Sequence, residues 1–474
     1  MNNNEKYQSL RRQYPVFEYV AYHYREEADG LHLWFDFRMG DVEFHPTALI
    51  EWRPFLDFSK DIDVIVFNIG MVELVSYWKC ACPPKVKVLC GSLTDEQIAF
   101  WRKLYWNGLG EFYYTNGIAE TPEAFLEIEN GELRIENRLP HPDNSQFSIV
   151  NSQLYLVPIG GGKDSVVTLE LLRRADKAVR PLIMNPRGAT VECAAKAGFP
   201  IDEVLVIRRT IDHTLLDLNA KGYLNGHTPF SAMLAFYTQL ASALSGIPNV
   251  ALSNESSANE STVLGTNVNH QYSKSLEFED DFREYCLNEL LLDCLSAGTV
   301  NIQAIKQSSN QAFRYFSFLR PLSELQIAML FSRFTAYHDV FRSCNVGSKQ
   351  DIWCGHCAKC LFAYIILSPF IEPTRLNAIF GKSMLDDVTL RTEFLQLLGK
   401  AETKPFECVG TVIEVNTALS MAIERWYPTA RPQLLADYVP MPSASRVSLH
   451  GLLPEGNLNA DERNILLQCI ENNN

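Results

Sequence analysis

Residues 154–172 constrain the fold of this chain more than any other stretch. They read LYLVPIGGGKDSVVTLELL, which is a short apolar run typical of a buried strand, then three glycines, then a helical pattern. Gly160, Gly161 and Gly162 allow positive φ and a close approach of the backbone to a ligand. The N–H groups at the start of the following helix carry partial positive charge. A strand, a glycine turn and a helix in this order therefore predict an anion site, with phosphate as the expected ligand.

The spacing of this motif excludes two common phosphate loops. A Walker A loop needs a glycine five positions before its Gly-Lys pair and Ser or Thr after the lysine, whereas this chain has Val157 and Asp164 there. A Rossmann fingerprint needs a third glycine where this chain has Ser165. The run instead resembles the S-G-G-x-D-S signature of the PP-loop ATP pyrophosphatases. Members of that family adenylate an oxygen of their substrate and release pyrophosphate.

This resemblance implies that ATP and Mg²⁺ are the cofactors. Asp164 would contact the metal, because an acidic side chain beside a polyanion needs a cation between them. Gly160 stands where the family has serine, so a hydroxyl contact to the pyrophosphate would be missing. The alternative is a tight turn without a ligand. The residues that would hold the triphosphate are Gly160, Gly161, Gly162, Lys163, Asp164 and Ser165.

Charge and composition exclude several classes of partner. Lys and Arg number 42 against 56 Asp and Glu, which gives a net charge of −14 and disfavours binding to nucleic acid. No apolar run reaches the ~18 residues that a membrane helix needs, and the N-terminal residues lack the apolar core of a signal peptide. We expect a cytoplasmic protein that acts on small molecules and contacts neither nucleic acid nor membrane. Its 12 cysteines are expected as thiols or metal ligands.

The first part of the chain predicts an antiparallel α+β domain over residues 1–145. Polar and apolar residues alternate over 17–52, with Asp29-Gly30 placed as a hairpin turn. A strand is predicted at 64–67 and a helix at 94–105, and the proline-containing segment 128–145 is interpreted as a linker. We expect this domain to recognise the substrate.

From residue 153 onward, short apolar runs alternate with helical patterns. This alternation predicts an α/β domain over 150–340, with a doubly wound, parallel PP-loop (HUP-like) sheet. Ligands bind at the carboxyl ends of parallel strands, so Asn185 is expected in the same crevice as the glycine loop. Glu255 and Asn259 are expected to face the nucleotide or a second metal contact there, with a polar loop of solvated charges as the alternative. Residues 341–474 are interpreted as a mostly helical C-terminal region that contains a cysteine cluster.

The cysteine cluster has the spacing of a metal site. Thiolates two residues apart can bind one Zn²⁺ tetrahedrally, and a fourth ligand ten positions earlier completes the set. Four sulfur ligands leave no open coordination position, so the zinc would be structural. A redox-active cysteine group is the alternative. The 7-cyano-7-deazaguanine synthases, which are PP-loop enzymes, carry a similar cluster. The four cysteines are Cys344, Cys354, Cys357 and Cys360.

Five further stretches occur in order along the chain: NGLGEFYYTNGI (107–118), SNESSANE (253–260), VNHQYSKSLEFEDDFREY (268–285), WCGHCAKC (353–360) and KPFECVGT (404–411). Together they resemble the bacterial ATP-dependent UDP-N-acetylmuramoyl-L-alanyl-L-glutamate epimerases of peptidoglycan synthesis. That family implies inversion of the terminal L-glutamate to D-glutamate, with ATP converted to AMP and pyrophosphate. It also implies a UDP-N-acetylmuramoyl dipeptide as substrate and functional coupling to a Mur ligase that adds L-glutamate.

Inversion of an α-carbon requires groups that remove and return a proton. His270 and Lys274 are four residues apart and would share one face if that stretch is helical, so they are candidates for proton exchange. Their alternative is a solvated surface pair. Cys408 is a rival acid or base, with a buried core cysteine as its alternative. Candidates for binding the substrate's carboxylates or diphosphate are Arg187, Arg320 and Lys404.

Two other functions are compatible with these motifs. One is an amidating or thiolating PP-loop synthase related to the 7-cyano-7-deazaguanine synthases, which would require ammonia or a sulfur donor. The other is a non-catalytic module that senses ATP and releases no pyrophosphate.

Overall fold

The computed structural model describes residues 2–131, 153–263, 268–296 and 313–471. The strands are β1 (Val16–Glu27), β2 (Gly30–Met39), β3 (Val42–Phe44), β4 (Thr47–Glu51), β5 (Lys85–Val88), β6 (Glu127–Asn130), β7 (Leu154–Pro158), β8 (Ala178–Met184), β9 (Leu205–Arg209), β10 (Asn249–Leu252) and β11 (Arg314–Ser317). The α-helices are α1 (Asn3–Gln13), α2 (Asp63–Trp78), α3 (Asp95–Gly108), α4 (Gly110–Thr115), α5 (Lys163–Arg174), α6 (Gly188–Lys196), α7 (His213–Ala220), α8 (Phe230–Ser245), α9 (Leu276–Ser296), α10 (Glu324–Ser332), α11 (Ala358–Leu367), α12 (Pro373–Phe380), α13 (Arg391–Leu397), α14 (Val412–Trp426) and α15 (Ala460–Glu471).

The chain divides into two compact units, each assembled from several segments. The first contains Met1–Ser152, Leu205–Val250 and Gln271–Tyr315, and the second contains Gln153–Val204, Ala251–His270 and Phe316–Asn474. The sequence patterns predict consecutive ranges instead. They group β9, α7 and α8 with the glycine loop, whereas these elements belong to the first unit.

The first unit contains a mixed sheet with the strand order β9-β4-β2-β1-β5-β6, and β3 pairs with β2. The predicted hairpin is confirmed, because β1 and β2 pair antiparallel up to Glu27 opposite Gly30. Its two-residue turn is Ala28-Asp29, one residue before the predicted Asp29-Gly30. A Cβ at Gly30 would lie 2.0 Å from the carbonyl oxygen of Ile50, so only glycine fits there. The strands β1, β5 and β6 pair in parallel, which the expectation of an antiparallel domain did not include.

Two further predictions for this unit have different outcomes. The predicted helix at 94–105 is confirmed as α3, whose N-cap Thr94 forms a capping box with Gln97. The predicted strand at 64–67 is wrong, because these residues lie in α2. Every residue of α2 from Ile65 to Trp78 is buried, so its apolar residues show no helical period. The predicted linker begins inside β6, and its remainder from residue 132 lies outside the described residues.

The second unit holds the glycine loop. The strand order is β11-β10-β7-β8, counting the C-terminal residues of β10 and β11, and β7 and β8 pair in parallel from Leu154 opposite Ala178. The mixed α/β architecture with parallel strands is thus present. The chain after Asn269 is mostly helical as expected, although β11 is an additional strand. Across the four described ranges, the helices all fall short of the length or apolarity needed to cross a membrane.

Candidate functional site

The glycine loop connects β7 to α5 in the second unit. Gly161 has φ of +78°, and a Cβ there would lie 2.9 Å from the backbone carbon of Ala189. Gly162 is the N-cap of α5 and gives that helix no side-chain cap. The Ser165 hydroxyl donates to the Gly162 carbonyl oxygen at 3.0 Å and thereby holds the turn. The first N–H groups of α5 are therefore left for a ligand, as an anion site requires.

Three carboxylates meet beside this loop. One oxygen each from Asp164, Glu255 and Glu324 lies within 4.8 Å of the other two. Asp164 is part-exposed, whereas the side chain of Glu324 is 3% exposed. Carboxylate oxygens are the ligands that Mg²⁺ prefers, so this donor set fits a divalent cation. Glu324 was not among the residues predicted from the sequence, and its only sequence signal is the capping box Ser323-x-x-Gln326.

Lys163 lies among these carboxylates. Its ammonium group forms ion pairs with Asp164 and Glu324. Burial alone would lower the pKa of Lys163, but the charges of these two carboxylates outweigh it and raise the pKa. Burial raises the pKa of Glu324 above its ordinary value, with the charge of Lys163 opposing the shift and the charges of Asp164 and Glu255 adding to it. One ammonium does not balance three carboxylates, so the cluster favours a further cation.

Glu324 is held by a second buried carboxylate. Glu414 Oε1 accepts a hydrogen bond from the backbone N–H of Glu324 at 2.7 Å. Its other oxygen accepts from the backbone N–H of Thr411 at 2.7 Å, in the capping box of α14. Burial raises the pKa of Glu414. The first turns of α10 and α14 are thus linked through a single side chain.

Glu255 follows β10, and Arg320 fixes its backbone. The guanidinium of Arg320 donates to the Glu255 carbonyl oxygen at 2.7 Å and to Ser317 Oγ at 3.2 Å. The Arg320 side chain is completely buried, which favours a positioning role over capture of a substrate carboxylate. Ser257 donates to Glu255 Oε1 at 3.2 Å.

The other two residues predicted to face the nucleotide, Asn185 and Asn259, are exposed. Asn185 follows β8 in the left-handed region with φ of +52° and is exposed. Asn259 is exposed at the end of a short 3₁₀ helix, and its amide donates to Glu455 Oε2 at 3.3 Å. Neither residue belongs to the group of three carboxylates.

The pairing of His270 and Lys274 rests on a helix that does not form. Lys274 ends a three-residue 3₁₀ helix, Tyr272–Lys274, and His270 precedes it outside any helix. The predicted shared helical face is therefore wrong. The short helix begins only at Tyr272 and does not contain His270, and α9 starts at Leu276, after an extended Ser275. His270 also belongs to the second unit and Lys274 to the first.

The four predicted cysteine ligands come together. Cys344 and Cys357 sulfurs are 4.0 Å apart, Cys354 and Cys360 3.7 Å, and all four sulfurs lie within 4.8 Å of one another. Zn–S bonds of about 2.3 Å place tetrahedral sulfurs roughly 3.8 Å apart, so the set fits one zinc ion.

Hydrogen bonds in and around the cluster favour a thiolate at Cys357. The backbone N–H of Gly347 donates to Cys344 Sγ at 3.1 Å. The hydrogen bond between the sulfurs of Cys357 and Cys360 lowers the pKa of Cys357 to about 5, despite burial, and raises the pKa of Cys360. Thiolates are the form that binds metal.

Cys408 lies outside this cluster and is half-buried, and its carbonyl oxygen accepts a hydrogen bond from the Lys359 ammonium. Its neighbour Glu407 lines a cavity of about 380 Å³ together with His356, Glu393 and Lys404. Burial raises the pKa of Glu407 to about 7, and the charge of Cys357 adds to this. Lys404 itself is buried and forms an ion pair with Glu260.

Comparison with known proteins identifies related chains. The family described as the MurL N-terminal domain matches residues 8–294, and the MurL C-terminal domain matches residues 340–443. A protein of Xanthomonas oryzae pv. oryzae is 35% identical over 81% of this chain and 80% of its own length. Proteins of Salinispora tropica and a Micromonospora species are each 34% identical over 78% of this chain, covering 76% and 78% of their own lengths. All three are named UDP-N-acetyl-alpha-D-muramoyl-L-alanyl-L-glutamate epimerase.

Proposed function

The chain belongs to the MurL family of UDP-N-acetyl-alpha-D-muramoyl-L-alanyl-L-glutamate epimerases, and on that premise we propose that it inverts the terminal glutamate of this peptidoglycan precursor at the expense of ATP. The substrate is the UDP-linked L-alanyl-L-glutamate, and the products are its D-glutamate epimer, AMP and pyrophosphate. Such an enzyme acts after a ligase that adds L-glutamate.

Adenylation makes the α-proton removable. While the neighbouring carboxylate is ionised, loss of the α-proton would place a second negative charge on the same small group. A carboxylate oxygen that attacks the α-phosphorus of ATP displaces pyrophosphate and forms a mixed anhydride in which the acyl group carries no charge. Its carbonyl can then accept the electron pair of the C–H bond, so an ordinary side-chain base suffices.

Inversion and release complete the reaction. A base removes the α-proton on one face of the enolisable acyl-adenylate, and an acid returns a proton on the other face. Water then attacks the carbonyl carbon, which releases AMP and restores the carboxylate. The candidates for the proton-exchange groups are His270, Lys274 and Cys408. Each is proposed on its own, because His270 and Lys274 do not share a helix.

The observation that carries ATP cleavage is the glycine loop beside three carboxylates. The N–H groups of the loop and of α5 would bind the phosphates, and Asp164, Glu255 and Glu324 would hold Mg²⁺. When bound, Mg²⁺ supplies charge neutralisation for the phosphates. Lys163 keeps the carboxylates oriented through its ion pairs. The cysteine cluster would hold a structural zinc ion.

Incubation with ATP, Mg²⁺ and the UDP-linked precursor in deuterated water tests this function. We expect D-glutamate that carries deuterium at the α-carbon, together with AMP and pyrophosphate. Asp164→Asn should lose AMP formation by at least about 100-fold while the protein remains folded. Inversion in the absence of any adenine nucleotide would contradict the proposal. Turnover that requires ammonia or a sulfur donor would instead support a PP-loop synthase.

A further inference from the structure

One segment of the second unit, residues 342–351, lies against the predicted phosphate site. The backbone N–H of Arg342 donates to the Gly161 carbonyl oxygen at 2.8 Å. Ser343 Oγ lies 2.7 Å from the position that a Cβ would take at Gly162. At the other end of the segment, Asp351 lies 3.7 Å from Arg187 Nη1, and Arg187 Nη2 donates to the Gly160 carbonyl oxygen at 3.0 Å.

Two guanidinium donors at this place make no hydrogen bond within the described ranges, although Asp351 Oδ1 lies 3.7 Å from one of them. Arg342 Nε and Arg187 Nη1 are buried, and neither has a hydrogen-bond partner among the residues that the structure describes. A buried donor that makes no hydrogen bond is unfavourable, so native structures seldom leave one without a ligand or water. Guanidinium groups bind phosphate oxygens strongly. Both arginines also act electrostatically on Cys193, which contacts the Gly161 carbonyl, so their charges lie near the loop.

A hydroxyl group is present here despite the loop sequence. The PP-loop signature has serine where this chain has Gly160, and a Cβ at Gly160 would meet no atom within 4 Å among the described residues. The missing serine therefore leaves space in the loop. Ser343, which is part-exposed, presents its hydroxyl over Gly162 from a different part of the chain.

We propose that Arg342 and Ser343, together with Arg187, form a second wall of the phosphate site that binds the pyrophosphate part of ATP. In this arrangement Ser343 replaces the hydroxyl that is missing at position 160. The inference rests on the proposed ATP-dependent function. Cys344 follows Ser343 directly, so the cysteine cluster fixes the wall on one side.

Binding measurements on the full chain test this assignment without turnover. Ser343→Ala and Arg342→Gln would be compared with the native protein by calorimetry, using pyrophosphate, α,β-methylene-ATP and AMP. Each variant should bind pyrophosphate and the ATP analogue about 10-fold more weakly or worse, since each removes a bond to a charged group. AMP affinity should change less than about 2-fold, because AMP lacks the pyrophosphate part. The Arg342 variant keeps its backbone N–H and hence its bond to Gly161.

A second-site variant makes the prediction specific. Adding Gly160→Ser to Ser343→Ala should restore most of the lost pyrophosphate affinity, because the loop has room for that side chain. Ser348→Ala is the matched control, since Ser348 lies in the same segment but donates to Asn345 at 2.8 Å.

The outcomes separate this inference from the proposed function. Unchanged pyrophosphate affinity in both variants, or an equal loss for AMP, would overturn the second wall even in an active epimerase. If the native chain binds the ATP analogue and yet inverts no substrate, the proposed function fails while the binding assignment stands.

Discussion

The three loop glycines satisfy different physical requirements. Position 161 requires glycine for two reasons: its φ is positive, and a Cβ would collide with the Ala189 backbone. At position 162 a Cβ would lie 2.7 Å from Ser343 Oγ, whereas at position 160 a Cβ would meet no described atom within 4 Å. The sequence predicts that the loop binds an anion, but these differences depend on segments that come near it only in the folded chain.

Replacing Gly161 should separate backbone strain from ligand binding. Gly161→Ala forces alanine to a φ of +78° and should cost about 1–2 kcal/mol of unfolding free energy. Gly381→Ala is a matched control, because Gly381 has φ of +80° and a Cβ there would meet no described atom within 4 Å. Both variants should be destabilised in denaturant titrations, but only Gly161→Ala should lose ATP affinity, by at least about 10-fold. Equal ATP affinity in the two variants would contradict the loop assignment.

Glu324 is the site residue that sequence reasoning missed. It follows Asp164 by 160 positions and reaches it only because α10 begins beside the glycine loop. Glu324→Gln keeps the shape of the side chain and removes one charge from the cluster. We expect the variant to fold but to lose Mg²⁺-dependent AMP formation by at least about 10-fold, since a ligand oxygen is replaced by a donor-bearing amide. Manganese binding measured by electron paramagnetic resonance should weaken in parallel.

Glu424→Gln provides the comparison for this experiment. Glu424 is exposed and paired with Arg446, so its neutralisation should leave metal binding as it is in the native protein. Retention of full manganese affinity by Glu324→Gln would remove Glu324 from the metal site.

At the scale of elements, residue spacing in the sequence predicted those features that depend only on residues near each other along the chain. The cysteine spacing brings four sulfurs together, and the turn signal at Asp29-Gly30 lies within one residue of the β1–β2 turn. The buried helix α2 was missed because an apolar run surrounded by protein carries no period that separates helix from strand. A long apolar segment that is buried on all sides, such as α2, therefore needs more than hydrophobic periodicity to separate helix from strand.

The cysteine cluster should prove to be a zinc site with a structural effect. We expect about one zinc ion per chain by elemental analysis, and Cys344→Ser should lower this content and reduce the melting temperature by at least about 5 °C. Cys469→Ser, a half-buried cysteine outside the cluster, should change neither quantity comparably. A metal-free native protein with unchanged melting after chelation would contradict the assignment.

The division of the chain into two units was the feature least predictable from the sequence. The chain after β8 continues with the same strand and helix pattern, yet β9 pairs antiparallel with β4 of the first unit, with Ala48 opposite Arg209. Hydrophobic periodicity identifies a strand but does not name its partner. The segment 205–250 therefore leaves the second unit, and the chain returns to it at Ala251.

Because the second unit is assembled from separate segments, nucleotide binding should protect separate stretches of the chain from hydrogen exchange. The glycine loop, the three carboxylates and the cysteine cluster all belong to the second unit. Ligand binding stabilises the state that holds it, by about 2.7 kcal/mol at 100 times the dissociation constant. Hydrogen exchange with Mg²⁺-ATP should therefore slow in peptides 159–174, 253–260 and 323–332, and much less in the intervening peptide 205–220. Asp164→Asn should abolish the difference. Protection confined to 159–174 would show that Glu255 and Glu324 take no part in binding the metal-bound nucleotide.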